Sequence, residues 1–293
     1  IINHMAKLGK LTVGIKDKPT IMGIINVSPE SFYKNSIKTT KTKISQTVKQ
    51  MEEEGAKIVD IGGMSTAPYL KTTISEKQES TRITKAIKII QNSSNLPISV
   101  DTCRATVACN ALENGVDVIN DVSGLKYDKN MPKIIEKFQP SLILCAYSKK
   151  IVGTNHVTET KRLLQESVKI AKSVNIPKNR MIIDPAIGFF RSSGMGFPFT
   201  KIKSSWVDRD IAVLHNLRSI KSGFPLLVSV SNKSFIGELL HKEKPDDRLY
   251  GSLAAELISM ANGADVVRTH NVGATKDILS VYKKLMKNNK KGL

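Results

Sequence analysis

The stretch ISQTVKQMEEEGAKIVDIGG, residues Ile44–Gly63, holds the unit from which the fold is read. Ile44, Val48 and Met51 recur at helical spacing, and Gly55 stands where a left-handed residue closes a helix. The pattern then turns to the β-branched run Lys57–Ile61, with Asp60 near its end and Gly62-Gly63 behind it. A helix that hands over to a short apolar strand is half of a parallel crossover unit. The hand-over recurs in kind as Asn114-Gly115-Val116 and Asn262-Gly263-Ala264.

Outward from this unit, further β-branched runs occur at Ile21–Val27, Pro97–Asp101, Val116–Asp121, Ser141–Cys145, Arg180–Asp184, Pro225–Ser231 and Ala264–Thr269. Segments of helical periodicity, such as Val168-Ala171-Val174, lie between them. Eight strand candidates alternating with eight helical segments predict a single (β/α)8 TIM barrel. An open doubly wound sheet would carry a Gly-rich phosphate fingerprint after its first strand, and there is none. No linker rich in Pro, Gly or Ser divides the chain. One domain over 1–293 is therefore expected, with 1–16 an N-terminal extension and 274–293 a basic C-terminal helix and tail. The long irregular stretches Ser28–Lys41, Gly62–Thr73 and Phe189–Trp206 each follow a strand, so each would project from the C-terminal face of the barrel.

The chain has 293 residues, 45 Lys+Arg against 26 Asp+Glu for a formal charge of +19, and 40% hydrophobic residues. That apolar share supports a sizeable core and excludes disorder over most of the length. No apolar run reaches the roughly 18 residues of a membrane span, and no signal-peptide pattern opens the chain. Cys103, Cys109 and Cys145 form neither a complete disulfide framework nor a zinc spacing, and read as reduced thiols of a cytoplasmic protein. The lysine excess lies largely in runs such as Lys283-Lys284, without a basic-aromatic stripe or reading helix. Neither nucleic acid nor membrane is an expected partner.

In a barrel, the polar residues at the C-terminal ends of strands mark the functional face. Here they are Asn26, Asp60, Asp101, Asn120, Asp121, Asp184, Lys233, Arg268 and His270. One such Asp is ordinarily a helix cap or a loop hydrogen-bonder. So many on one rim point to a ligand, because unpaired polar groups there are costly. Asp101, Asn120 and Asp184 suit the donor-rich edge of a flat heterocycle such as an aminopyrimidinone. Arg268, His270, Lys233, Ser65 and Thr66 suit a phosphate or diphosphate, and Asn26 is a neutral oxygen ligand for a shared magnesium ion. Asp60, before Gly62-Gly63, reads equally as a loop orienter. His4, His156, His215 and His241 lack a partner motif, and Trp206 is expected to pack beneath the long loop preceding it.

The chain resembles the dihydropteroate synthase family of pterin-binding barrels, and most closely its archaeal branch. The resemblance is carried by MGIINVSPESF (Met22–Phe32), DIGGMST (Asp60–Thr66), SVDTCRATVA (Ser99–Ala108), GVDVINDVSG (Gly115–Gly124), IIDPAIGF (Ile182–Phe189), VSVSNKSFIG (Val228–Gly237) and RTHNV (Arg268–Val272). It implies condensation of 6-hydroxymethyl-7,8-dihydropterin diphosphate with an arylamine, 4-aminobenzoate in most of the family, with release of diphosphate. On this likeness Asp101, Asn120, Asp184 and Lys233 bind the pterin. Asn26, Thr66, Arg268 and His270 bind the diphosphate, and Asn26 also faces Mg2+. Phe32 and Ser234 lie near the arylamine, and the catalytic set is Lys233, Asn26, Arg268 and Asp101. A dissociative course is implied, in which cationic groups stabilise the departing diphosphate without a protein nucleophile. A homodimer is implied by the resemblance alone.

The sequence departs from the family at Tyr33-Lys34-Asn35, Ala67, Cys145-Ala146-Tyr147, Ala186, Phe190, Arg191 and Asn232. Ala67 and Asn232 replace arginines, which slightly favours a pterin-binding barrel without catalysis. Methyl transfer from a methylated pterin to a corrinoid protein is a further alternative, but it leaves Lys233 and Arg268 without a diphosphate to hold. A basic mouth with Lys34 and Arg191 suits an acceptor carrying a ribose phosphate, as in methanopterin synthesis, as well as it suits plain solvent.

Overall fold

The computed structural model describes residues 5–16, 18–29, 39–66, 68, 72–196 and 198–288. An antiparallel hairpin, β1 (Ala6–Leu8) and β2 (Leu11–Val13), comes first. Six strands with intervening helices follow: β3 (Thr20–Asn26), α1 (Lys41–Glu54), β4 (Ile58–Gly62), α2 (Glu76–Gln91), β5 (Ile98–Asp101), α3 (Ala105–Glu113), β6 (Val118–Asp121), α4 (Met131–Phe138), β7 (Ser141–Cys145), α5 (His156–Ser173) and β8 (Met181–Asp184). A short parallel pair, β9 (Phe190–Arg191) and β10 (Thr200–Lys201), interrupts the alternation before α6 (Trp206–His215) and α7 (Leu217–Ile220). The chain continues through β11 (Leu227–Val228), α8 (Ser234–Leu240), α9 (Leu249–Ala261), β12 (Val266–Thr269) and α10 (Val272–Asn288).

The expected barrel is present. Eight parallel strands run in the order β11-β12-β3-β4-β5-β6-β7-β8. A lone parallel bridge between Ile183 and Leu226 joins the two ends, with Ile183 N–H donating to the Pro225 carbonyl at 3.0 Å. The seventh strand candidate, Pro225–Ser231, therefore contributes only Leu227–Val228 to the regular ladder. The helix stop at Gly55 has φ +107°, a conformation in which a Cβ is strained, and its N–H bonds the Met51 and Glu52 carbonyls. Ile44, Val48 and Met51 are the buried face of α1, as their spacing predicts.

Alternation along each strand separates two cores. One set, including Val59, Ile61, Val100, Ile119, Leu142 and Ile183, packs outward beneath the helices. The other fills the barrel's N-terminal half: Met22, Ile58, Val118, Ile143, Ile182, Leu227 and Val266. The hairpin closes that end, adding Ala6, Leu8 and Val13 to the same cluster. The extension expected over 1–16 is thus partly a plug. Two residues further along the strands, the same inward direction brings Asp60, Asn120, Asp184 and Arg268 into the other half of the barrel.

Candidate active site

The centre of the C-terminal half is one guanidinium shared by two carboxylates. Arg268 Nε donates to Asp60 Oδ2 at 2.6 Å, and Nη2 donates to Asp101 Oδ2 at 3.0 Å. Asp60 Oδ2 also accepts from Asn120 Nδ2 at 3.0 Å. Burial works against the charge of Arg268, but Asp60 and Asp101 hold its pKa above the ordinary arginine value. Burial pushes Asp101 up to about 7; Arg268 opposes the rise and Asp60 adds to it. Asp60 is not a mere loop orienter: it is fully buried and joins three strands of the site. Its strand parity with Ile58 was the signal for this in the sequence.

Around this ion pair, Asp60 Oδ1, Asp101 Oδ1, Asn120 Oδ1 and Ser99 Oγ are buried without a hydrogen-bond partner among the described residues. All four lie on the neighbouring strands β4, β5 and β6. A buried acceptor left unpaired costs about 1–3 kcal/mol, so the cluster is built for a ligand that brings donors.

On the opposite side, Asp184 Oδ1 accepts from Ala186 N–H at 2.7 Å, and burial raises its pKa. Lys233 Nζ lies 4.1 Å from the centre of the Phe189 ring. Burial, with the nearby Arg268, pushes Lys233 down to about 8. The His270 ring engages Ser231 Oγ through Nδ1 at 3.1 Å, and burial, Arg268 and Lys233 push it down to about 3. In the ligand-free site the His270 ring is therefore uncharged at neutral pH. Asn26, Thr66, Lys233, Ser234, Arg268 and His270 line one cleft.

Two sequence expectations change here. Asp121 leaves the site, because β6 turns it outward. Its carboxylate accepts from Ser123 N–H, Ser123 Oγ–H and Leu125 N–H, which shape the next loop. Asn232 is structural: it has φ +57°, which Asn tolerates, and its N–H and Oδ1 both meet Ser252 Oγ of α9. Asn232 is not among the side chains that line the cleft. Phe32 and Ala67 lie outside the described residues.

Of two buried supports, sequence reasoning missed Glu79 and named Arg191 only as part of a basic mouth. Glu79 of α2 accepts from Thr102 Oγ1 at 2.9 Å and Arg104 Nη1 at 2.8 Å, bracing the turn after Asp101. Arg191 stacks on Trp206, its guanidinium carbon 3.6 Å from the ring centre, and donates to Ser234 Oγ. Trp206 packs under the loop as expected, with Arg191 between it and the cleft.

Among the described residues, no three His, Cys, Asp or Glu side chains group as a metal site. Asn26 offers an amide oxygen against Gly62, where a Cβ would approach it to 3.0 Å. A single neutral oxygen fits Mg2+ that draws most of its ligands from phosphate and water.

Residues 22–270 match the family model of pterin binding enzymes. The chain belongs to that family. The dihydropteroate synthase of Synechocystis sp. is 33% identical over 270 residues, covering 89% of this chain and 88% of that protein. The fold of Yersinia pestis dihydropteroate synthase in a sulfonamide drug complex superposes with a TM-score of 0.84 at 25% identity, covering 97% of this chain and 99% of that one. Xanthomonas albilineans dihydropteroate synthase with 4-aminobenzoic acid gives 0.79 at 30% identity, covering 92% and 94%. This family member is an enzyme of the dihydropteroate synthase type. No helix among its described residues is long and apolar enough to cross a membrane.

Proposed function

We propose that this enzyme condenses 6-hydroxymethyl-7,8-dihydropterin diphosphate with 4-aminobenzoate. The observation that carries the reading is the row of unpartnered buried acceptors on Asp60, Asp101 and Asn120 beside Arg268. A pterin ring edge supplies the N–H groups that such a row lacks. Asp184 and Lys233 bind the ring from the other side. Arg268, Thr66 and Asn26 hold the diphosphate, and neutral His270 donates a hydrogen bond to it. Asn26 would be the residue to hold Mg2+, which would supply charge neutralisation to the same diphosphate.

The bond between the exocyclic methylene and the diphosphate oxygen breaks, and the arylamine nitrogen forms the new C–N bond. The surplus amine proton leaves to water or to the released diphosphate. Arg268 and Lys233 are preorganised where negative charge develops on the leaving group, so no reorganisation is needed at that moment. The acceptor's anion lies at a second cationic station, Arg191 with Ser234, and Phe32 is assigned to the arylamine by the family likeness alone. The 4-aminobenzoic acid of the Xanthomonas enzyme belongs to that protein; here it supports the choice of acceptor. The same reading takes 1–293 as one cytoplasmic catalytic domain. It also takes the exposed apolar positions Tyr250, Leu257, Val281 and Leu285 of α9 and α10 as a homodimer face, which sedimentation tests.

Diphosphate release is the deciding assay, run with Mg2+ and either 4-aminobenzoate or ribofuranosylaminobenzene 5′-phosphate. Turnover with 4-aminobenzoate is expected. Release with the ribosyl phosphate alone would replace the acceptor, and silence with both would overturn the synthase reading.

A further inference from the structure

Helix α6 carries an ion pair that the sequence gives no reason to bury. Trp206-Val207-Asp208-Arg209-Asp210 reads as the solvated first turn of a helix, yet the side chains of Arg209 and Asp210 are 1% and 0% exposed. Arg209 is the largest fully buried side chain among the described residues. A buried ion pair is weak evidence for stability, since well-packed apolar residues often do as well. Its hydrogen bonds are therefore the better guide to its role.

Three of the five go to one turn. Arg209 Nη2 donates to the Pro185 carbonyl at 2.6 Å, and Nη1 donates to the Ala186 carbonyl at 3.2 Å. Asp210 Oδ2 accepts from Gly188 N–H at 2.9 Å, while its Oδ1 accepts from Arg209 Nη1 at 2.9 Å. The guanidinium carbon lies 3.6 Å from the centre of the Phe190 ring. Thr160 Oγ1 of α5, at 3.0 Å from Nη2, ties the pair to the preceding helix.

The turn so held carries two groups of the pterin site. Asp184 precedes it, with its carboxylate bound to Ala186 N–H. Ala186 has φ +58°, a left-handed conformation that disfavours a Cβ, so this turn needs fixing from outside. Gly188 lies against Lys233, where a Cβ would stand 2.9 Å from Cδ. One pair on the far side of the turn thereby sets both the Asp184 carboxylate and the wall along which Lys233 runs.

We propose that Arg209 and Asp210 are positioning residues for the pterin ring, acting through the turn Pro185–Gly188 on Asp184 and Lys233. The proposal rests on the pterin-binding reading above, and pterin affinity tests it separately from turnover. The double variant Arg209→Gln/Asp210→Asn removes both charges and cuts the hydrogen bonds to the turn, because a Gln amide has two donors for the acceptors at Pro185, Ala186 and Thr160, and Asn one oxygen for the two that Asp210 uses. Titration of 7,8-dihydropterin by fluorescence is expected to show at least tenfold weaker binding in a variant that still melts cooperatively. In turnover, KM for the pterin diphosphate is expected to rise by the same factor, and KM for the arylamine by less than threefold.

A pH profile gives a signature that loosened packing would not produce. Lys233 faces Arg268, Arg191, Asp184 and Asp210. Loss of the Asp210 charge alone moves its ionisation to lower pH. If the double variant does not fold, Thr160→Val removes only the outer acceptor, and a two- to fivefold loss of dihydropterin affinity is expected. Affinity within a factor of 1.5 of the parent in a folded variant, or equal rises in both KM values, overturns the proposal. A parent protein that binds dihydropterin without turnover would refute the synthase reading and leave this inference to the titration.

Discussion

The two halves of the barrel interior are made by the same strands and differ in almost every physical respect. At the N-terminal end, Met22, Ile58, Val118, Ile143, Ile182, Leu227 and Val266 are packed apolar side chains, and the hairpin seals them with Leu8. Two residues along, the strands carry Asp60, Asn120, Asp184 and Arg268, with buried acceptors left unsatisfied. The first half can be dry because nothing in it needs water. The second is affordable only because the first secures the strands beneath it. Stability and ligand recognition are thus separated by about two residues, some 7 Å of strand.

The largest effect expected from breaking this division is at Arg268. Arg268→Ala leaves Asp60 and Asp101 without their shared cation, and kcat/KM for the pterin diphosphate should fall ~100- to 1,000-fold, on the scale of losing a preorganised oxyanion donor. Steady-state diphosphate release reads this, and a fall of under tenfold would remove Arg268 from the anion site. The converse substitution is Leu8→Ala in the plug, where the side chain is wholly buried. It should destabilise the fold by about 2–5 kcal/mol in urea titration while leaving kcat/KM unchanged. A matching loss of activity would show that the two halves are coupled.

The smallest effect sharpens the comparison through pH. Burial raises Asp101 to about 7, well above its unfolded value, so the folded chain holds a proton that the unfolded chain releases. Its contribution to stability is full below about pH 4 and is lost as the pH rises towards 7. Asp101→Asn should flatten the decline in Tm over that window, by a few degrees, in the ligand-free enzyme. An unchanged slope would mean that Asp101 is ionised throughout. Leu8→Ala should leave the slope as it is.

How the sequence foretold these halves follows the same division. β-branched runs and helix-closing glycines report local conformation, so every barrel strand was placed within a few residues. The truncation of β11 was not legible, because the seam of a barrel depends on the ends of two distant strands. Asp101, Asn120, Asp184 and Arg268 stood out together, because a single polar strand end is commonly a cap but so many on one rim are not. Asp60 was undervalued because glycines behind an Asp imitate a loop. Arg209 and Asp210 were invisible for a different reason: a charged helical turn looks solvated until the turn that covers it is known. The neutrality of His270 was equally hidden, being set by burial in the folded cleft, with Arg268 and Lys233 adding to it.

Ring closure gives the chain an order in time. β12 pairs with β3, bringing Arg268 beside Met22 across nearly the whole sequence. A nascent chain ending before Val266 has β3 with one open edge, and Asp60 and Asp101 with no cation between them. The strand that completes the hydrogen-bonded circle also delivers the charge that lets those acids be buried. Synthesis thus withholds the closed ring until its last strand emerges, and a prematurely terminated chain is left with an adhesive edge and two acids lacking the guanidinium they share.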